Sequence, residues 1–286
     1  MRQLLAHQFP QWTDRSLSLV TSPGTSHTLI RLGSDLVLRF PRTESAVRDI
    51  EREHHWLPRL APHLPTPIPE PVEIGEPGSD YPWRWSVLRW LEGAVREPAE
   101  GPHSPESASA LATFCRALRA CDTTGAPNAA AEGLRGAPLT IRDEETRAAL
   151  HQLRAEIDLD RALEIWEEAL AAVPFNDTPV WFHGDLLPGN VLFQERTLAA
   201  VIDFGCAGVG DPACDAMPAW SLFSGESRRV FLREIGIDRD TWLRARGHAL
   251  SQAAIYVPYY RPTFPLGVAR AEWQLREALR DDEPPR

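Results

Sequence analysis

The sequence contains no lysine: all 30 of its basic residues are arginine. Read first as a compositional bias, this still excludes a catalytic lysine, and arginine has to do whatever lysine does elsewhere. Cysteine is scarce and unpatterned. Cys115, Cys121, Cys206 and Cys214 form no CxxC pair and no secreted-type framework, and the spacing of the last two matches no metal site. Long apolar runs are missing too. No stretch of about 18 uncharged apolar residues occurs, so no membrane span is expected. The opening MRQLLAHQFPQW lacks the apolar core of a signal peptide. Together these absences predict a soluble protein of a reducing compartment, the cytoplasm. Basic charge is in deficit, with 40 acidic residues against 30 basic and a formal net charge of -10. That balance argues against a nucleic-acid partner, which needs clustered cations, and is compatible with a cationic substrate.

What is present is a globular composition. With 286 residues, 43% hydrophobic and 24% charged, the chain can bury a substantial core, as one large domain or as two lobes sharing a cleft. Residues 17–41 alternate like short strands, with turns at Ser22-Pro23-Gly24 and Gly33-Ser34-Asp35, and read as an antiparallel meander. Thr43 to Leu60 has helical spacing, the proline-rich Ala61 to Pro71 cannot be a regular helix, and Pro82 to Leu91 reads as a further strand. Gly93 to about Pro105 marks the passage to a second, helical half, with strong helical patterns over Pro105–Cys121 and Arg142–Val173. The division expected is a β-rich lobe, 1–93, and a mostly helical lobe, 94–286.

One segment breaks the helical texture. In His183-Gly184-Asp185-Leu186-Leu187-Pro188-Gly189-Asn190 a carboxylate stands five residues before an amide, and in Val201-Ile202-Asp203-Phe204-Gly205 a second carboxylate follows the first by 18 residues. A hairpin between them would bring Asp185, Asn190 and Asp203 to one edge. Phosphoryl transfer needs such a set: a carboxylate to orient and deprotonate an acceptor hydroxyl, and hard oxygen ligands for Mg²⁺ between nucleotide phosphates. The order His-x-Asp, Asn, Asp-Phe-Gly is that of kinases. Each residue alone is an ordinary turn or capping residue; the case is their joint spacing. His183 is expected to pack and hold the loop rather than act as a base.

These residues, with Gly210-Asp211-Pro212-Ala213-Cys214-Asp215 after them, resemble the aminoglycoside phosphotransferase family, which is related to the macrolide and choline kinases. The resemblance implies an α+β, bilobal protein-kinase-like fold with ATP or GTP bound in the cleft. It makes Asp185 the catalytic base and Asn190 and Asp203 the Mg²⁺ ligands. It places Ser22, Gly24, Thr25 and Ser26 in the loop covering the nucleotide, Val37 against the base, and the backbones of Arg89 and Leu91 along the adenine edge. Arg39 stands where the family has a phosphate-gripping lysine, with Glu53 as its helix partner and Glu51 as a rival. Arginine keeps the charge but not the shape of lysine.

The acceptor is less legible. Asp211, Asp215 and Glu272 are the candidate contacts to an amino-sugar acceptor; Tyr256, Tyr259, Tyr260 and Trp273 are either an apolar acceptor wall or helix packing. The tail Asp281-Asp282-Glu283 is a frayed acidic end, and Trp83, Trp85 and Trp90 are strand packing. The expected partners are a nucleotide and a small hydroxyl-bearing substrate, antibiotic or other metabolite, with no nucleic acid and no membrane. Two alternatives stand beside this reading. A protein kinase is opposed by the missing GxGxxG and Ala-Pro-Glu motifs. A kinase-like binding module without turnover is motivated by Arg39 and opposed by the retention of Asp185, Asn190 and Asp203.

Overall fold

The computed structural model describes residues 2–20, 26–78, 80–97, 100 and 103–280. Ser22, Gly24 and Thr25, expected at the nucleotide, and the tail 281–286 lie outside the described residues.

The first third is built on a five-stranded antiparallel sheet. Helix α1 (Arg2–Gln8) leads into β1 (Leu17–Leu19), β2 (His27–Leu32) and β3 (Leu36–Pro41), followed by α2 (Val47–Leu60), β4 (Pro71–Gly75) and β5 (Trp85–Arg89). The strand order is β1-β2-β3-β5-β4. The β2–β3 turn uses Gly33 at φ +65°, a conformation that costs glycine little. Strand alternation then sorts β3 into two faces. Leu36, Leu38 and Phe40 join Leu32, Trp85 and Val87 in a core that also takes in Leu5 and Phe9. Val37 and Arg39 point the other way. The edge strand β4 was not expected from sequence. Its proline is the first residue, where a missing N–H disturbs the ladder least. Of the three tryptophans, Trp85 is fully buried and stacks on Phe40 at 4.8 Å, Trp90 carries the Arg31 guanidinium at 4.3 Å, and Trp83 meets Tyr81 edge-on.

Helix α2 is the piece shared between the two halves. Ile50, Glu53, Leu57 and Leu60 are its buried residues, one stripe at helical spacing. Leu57 and Leu60 belong to the large core of the second half, while Glu53 is a carboxylate in the middle of an apolar stripe. A carboxylate buried there requires a cationic partner.

The second half begins with β6 (Ala94–Val95) and α3 (Pro105–Arg119), whose first turn is capped by Ser104 accepting from the Ser107 N–H at 3.2 Å. After the one-turn α4 (Ala129–Glu132), the helical stretch expected over 142–173 divides into α5 (Asp143–Gln152) and α6 (Leu159–Ala171). Asp158 accepts from the Arg161 N–H at 3.0 Å and starts α6 afresh. Then come β7 (Val180–Phe182), β8 (Val191–Gln194), β9 (Thr197–Val201) and β10 (Gly208–Gly210), and last α7 (Pro218–Ser221), α8 (Gly225–Ile235), α9 (Arg239–Tyr260) and α10 (Pro265–Leu279). Strands β6, β8 and β9 form one small sheet and β7 and β10 a ribbon. Trp166, Trp181, Trp220, Phe223 and Phe231 fill the core around them. All four cysteines are free, and no helix among the described residues is long and apolar enough to cross a membrane.

Candidate active site

The β8–β9 hairpin brings the two halves of the motif together. Asn190 directly precedes β8, Asp203 follows β9 by two residues, and the Ile202 N–H donates to the Asn190 carbonyl at 2.9 Å. The Asn190 amide nitrogen donates to the Asp185 carbonyl at 2.9 Å and to Asp185 Oδ2 at 2.7 Å. Both amide hydrogens being spent, the amide oxygen of Asn190 is the atom left for a ligand.

Asp203 holds a left-handed backbone, φ +67° and ψ 71°, a conformation shared among described non-glycine residues only with Glu195. Strain of this kind persists where the surroundings over-determine it. Here the neighbours do so. The Phe204 N–H donates to Glu53 Oε1 at 3.0 Å, and Asp203 Oδ1 accepts from Arg39 Nη2 at 2.7 Å. Gly205 runs under α2, where an added Cβ would fall 2.8 Å from the Asp49 carboxyl carbon. Gly184, at φ +79°, approaches the Cys206 carbonyl so closely that a Cβ would sit 2.9 Å from it. Gly205 is therefore set by close approach, and Gly184 by close approach together with its left-handed backbone.

His183 is fully buried and its ring is committed at both ends. Nδ1 accepts from the Asp185 N–H at 3.2 Å, Nε2 faces the Ile202 carbonyl at 3.0 Å, and the ring packs against Phe204. These partners assign the proton to Nε2 and tie the Asp185 loop to the Asp203 segment. That is a holding role.

On the opposite wall, Arg39 and Glu53 are 6% and 1% exposed and form an ion pair through Arg39 Nη1. Burial alone would lower the Arg39 pKa, but the charges of Glu53 and Asp203 carry it above the ordinary arginine value. The guanidinium thus spans Glu53 and Asp203 through separate nitrogens, with Nη2 also 3.3 Å from His27 Nδ1. His27, pushed down to about 3 by burial and then by Arg39, stays neutral. Burial would raise the Asp203 carboxyl, but the Arg39 guanidinium holds it below the usual range. Its side chain is 42% exposed, so it is a charged oxygen donor open to the cleft. Glu51, the rival partner, points outward to Arg84 at 2.7 Å.

Asp203 and the Asn190 amide oxygen suit Mg²⁺, which takes few protein ligands and completes its shell with phosphate oxygens and water. Among the described residues, no group of three or more His, Cys, Asp or Glu side chains could hold a metal by itself.

Several expected contacts fall elsewhere. Asp215 is 1% exposed, and both its oxygens are consumed by backbone, accepting from the His183 N–H at 2.7 Å and the Gly184 N–H at 2.8 Å. Asp211, 7% exposed, caps the turn at Ala213 and pairs with Arg244 at 2.7 Å. Neither offers a carboxylate to a substrate, and both assignments are corrected: these acids support the Asp185 loop from behind. Glu272 is half-buried, with Arg261 at 3.9 Å. On the nucleotide side, Val37 shares the inward face of β3 with Arg39. Ser26 is exposed, its carbonyl accepting from Arg42 N–H at 2.8 Å. The Arg89 N–H is already spent on the Glu70 carbonyl at 2.9 Å, so of that residue's backbone the N–H is withdrawn from the base edge; Leu91 follows, partly exposed, between β5 and β6.

The structure also adds residues that sequence reasoning missed. Arg135 approaches Asp185 Oδ1 to 3.0 Å, and Arg270, beside Gly189, is clamped to Glu97 through Nε at 2.7 Å. Isolated arginines among 30 carry no motif, so only the fold could reveal them.

A sequence profile described as the phosphotransferase enzyme family matches residues 21–249, well over half of the chain, with Arg39, Glu53, Asp185, Asn190 and Asp203 inside it. The chain belongs to this family. Aminoglycoside 3'-phosphotransferases are similar to it over part of their length. The Escherichia coli protein is 28% identical over 90 residues, 30% of this chain and 33% of that protein. The Salmonella typhimurium protein is 31% identical over 78 residues, 26% of this chain and 29% of that protein. These matches span about a third of the relatives. Solved phosphotransferase structures match the whole family fold. The GDP complex of wild-type aminoglycoside 2'-phosphotransferase-IIIa superposes with a TM-score of 0.74 at 21% identity, covering 97% of this chain and 96% of that one. The macrolide 2'-phosphotransferase MphH of Brachybacterium faecium gives 0.64 at 24% identity, with 99% of both chains covered. At these identities the likeness establishes the kinase-like α+β architecture.

Proposed function

We propose that this family member is a small-molecule kinase that transfers the γ-phosphoryl group of ATP or GTP to an acceptor hydroxyl in one in-line step. The observation that carries the reading is the joined arrangement of Asp185 bonded to Asn190 and Asp203 bonded to Arg39, itself paired with Glu53. The acceptor oxygen attacks Pγ, the bond from Pγ to the β,γ-bridging oxygen breaks, the nucleoside diphosphate leaves, and the acceptor proton goes to Asp185. Asn190 and Asp203 would hold Mg²⁺, which neutralises charge on the β- and γ-phosphates when bound. Arg39 grips phosphate oxygens, and Val37 and Leu91 lie along the base. Positioning and charge neutralisation do the work, without a covalent intermediate. The two lobes are 1–93 and 94–286, supported by the sheet's own core in the first, with α2 of that lobe reaching into the helical core of the second, and the enzyme works in the cytoplasm. Relatives that act on aminoglycosides and macrolides support a small hydroxyl-bearing acceptor.

The test is transfer from γ-labelled ATP or GTP with Mg²⁺ to a panel of aminoglycosides, macrolides, amino alcohols and hydroxy acids. Labelled acceptor with stoichiometric diphosphate is expected; saturable Mg-nucleotide binding without transfer to any acceptor would favour the binding module. Arg39→Lys examines the phosphate grip. A single ammonium cannot bridge Glu53 and Asp203 through separate nitrogens, so KM for the nucleotide is expected to rise about five- to tenfold. An unchanged KM would remove Arg39 from the phosphates.

A further inference from the structure

The Arg39 guanidinium meets a third group besides Glu53 and Asp203. His27 opens β2, where the register pairs it with Pro41 and pairs Leu29 with Arg39. His27 and Leu29 therefore share the sheet face that carries Arg39, and His27 is the diagonal neighbour that a long side chain on β3 can reach. Its Nδ1 lies 3.3 Å from Arg39 Nη2, with His27 7% and Arg39 6% exposed. A guanidinium nitrogen only donates, so Nδ1 is the acceptor and the neutral ring carries its proton on Nε2. Nε2 is buried and forms no hydrogen bond of ordinary geometry with a described residue, although the Ala46 carbonyl acts on the ring as an acceptor.

The two hydrogens of Nη2 thus have two acceptors, Asp203 Oδ1 at 2.7 Å and His27 Nδ1. Glu53 and Asp203 by themselves fix the line from Nη1 to Nη2 and leave the plane of the guanidinium free to turn about it. A further acceptor on Nη2, off that line, fixes the plane. The aim of a planar fork decides which oxygens it can grip, whereas an ammonium is a point charge. We propose, on the kinase reading above, that His27 is a positioning residue for the phosphate grip. By accepting from Nη2 it sets the plane of the Arg39 guanidinium, and so lets an arginine serve at this place. A lysine nitrogen ends one bond earlier, level with Arg39 Cζ and short of Nδ1, so the role exists only with arginine. His27 touches no reacting atom and acts through Arg39.

The variants are His27→Leu, which removes the acceptor and keeps the buried site filled, and His27→Asn, whose amide oxygen stands at the place of Nδ1. Each is made in the full chain, with Arg39 and with Arg39→Lys, and titrated with Mg-ADP by calorimetry. His27→Leu is expected to raise the Kd for Mg-ADP about three- to tenfold, and His27→Asn to stay within about twofold of wild type. In the Arg39→Lys background, His27→Leu should change Kd by less than about twofold, a coupling that general loosening of β2 would not produce. An unchanged Kd in His27→Leu, equal weakening by Leu and Asn, or the same fold-change in both backgrounds would each overturn the proposal. Long-range proton–nitrogen NMR on the wild-type protein needs no variant to fold. It should find the His27 proton on Nε2 with Nδ1 bare, and a proton on Nδ1 would overturn the proposal as well. Wild type that binds no Mg-ADP, with the Nε2 proton in place, would instead overturn the kinase reading, and this proposal with it.

Discussion

Asp185→Asn is expected to lower kcat by about 10²- to 10⁴-fold, the range for removing a positioned general base, while the nucleotide Kd changes little. The asparagine keeps the side-chain shape beside Asn190 but cannot accept the acceptor proton. Asp185 sits in a loop fixed from behind by His183, through the Asp185 N–H, and by Asp215, which holds the His183 and Gly184 N–H groups. The loop therefore has independent supports, and the substitution should read on chemistry rather than folding. Single-turnover transfer with wild type and variant checks this, alongside nucleotide titration. Equal transfer by both proteins would take the base role away from Asp185.

Glu53→Ala is expected to cost about 3–5 kcal/mol, the range for breaking a buried ion pair by deleting one partner. Glu53 is 1% exposed and answers two buried donors at once, the Arg39 guanidinium and the Phe204 N–H. Removing it leaves a desolvated cation with Asp203 as its remaining carboxylate, and an orphaned N–H at the most strained backbone position of the site. A fall in Tm of roughly 5–15 °C should follow, together with loss of Mg-nucleotide affinity as Asp203 loses its anchor. Glu51→Ala is the matched control. Its partner Arg84 is an exposed arginine, and exposed pairs contribute about 0–1 kcal/mol. If the two variants melted together, the buried pair would not be holding α2 against the Asp203 segment.

That comparison also marks how far the sequence could be read. The Asp185–Asn190–Asp203 set was legible because it is local: one hairpin, 18 residues apart at its ends, with turn residues that permit few geometries. Glu53 against Glu51 was left open, although helical phase separates them. Ile50, Glu53, Leu57 and Leu60 form one stripe, and Glu51 lies off it. Asp211 and Asp215 were misplaced for a different reason. An acidic residue after a catalytic motif reads the same whether it faces a cleft or caps buried N–H groups, and only the packing of β7, β10 and α9 around them turned these two inward. Strand β4 escaped because proline at its start conceals an edge strand.

By itself the sequence named the proposed reacting groups and their order: a carboxylate, an amide and a second carboxylate in a hairpin, and, with no lysine available, an arginine at the proposed phosphate grip. Those are matters of residue chemistry and short-range spacing, which a chain carries along its length. The tertiary structure decided which charges meet. It set Arg39 between Glu53 and Asp203, spent Asp211 and Asp215 on the scaffold, and brought Arg135 onto Asp185. Pairings across 14 to 164 residues depend on which faces of helices and strands are buried together, and burial is what gives a charge its obligatory partner.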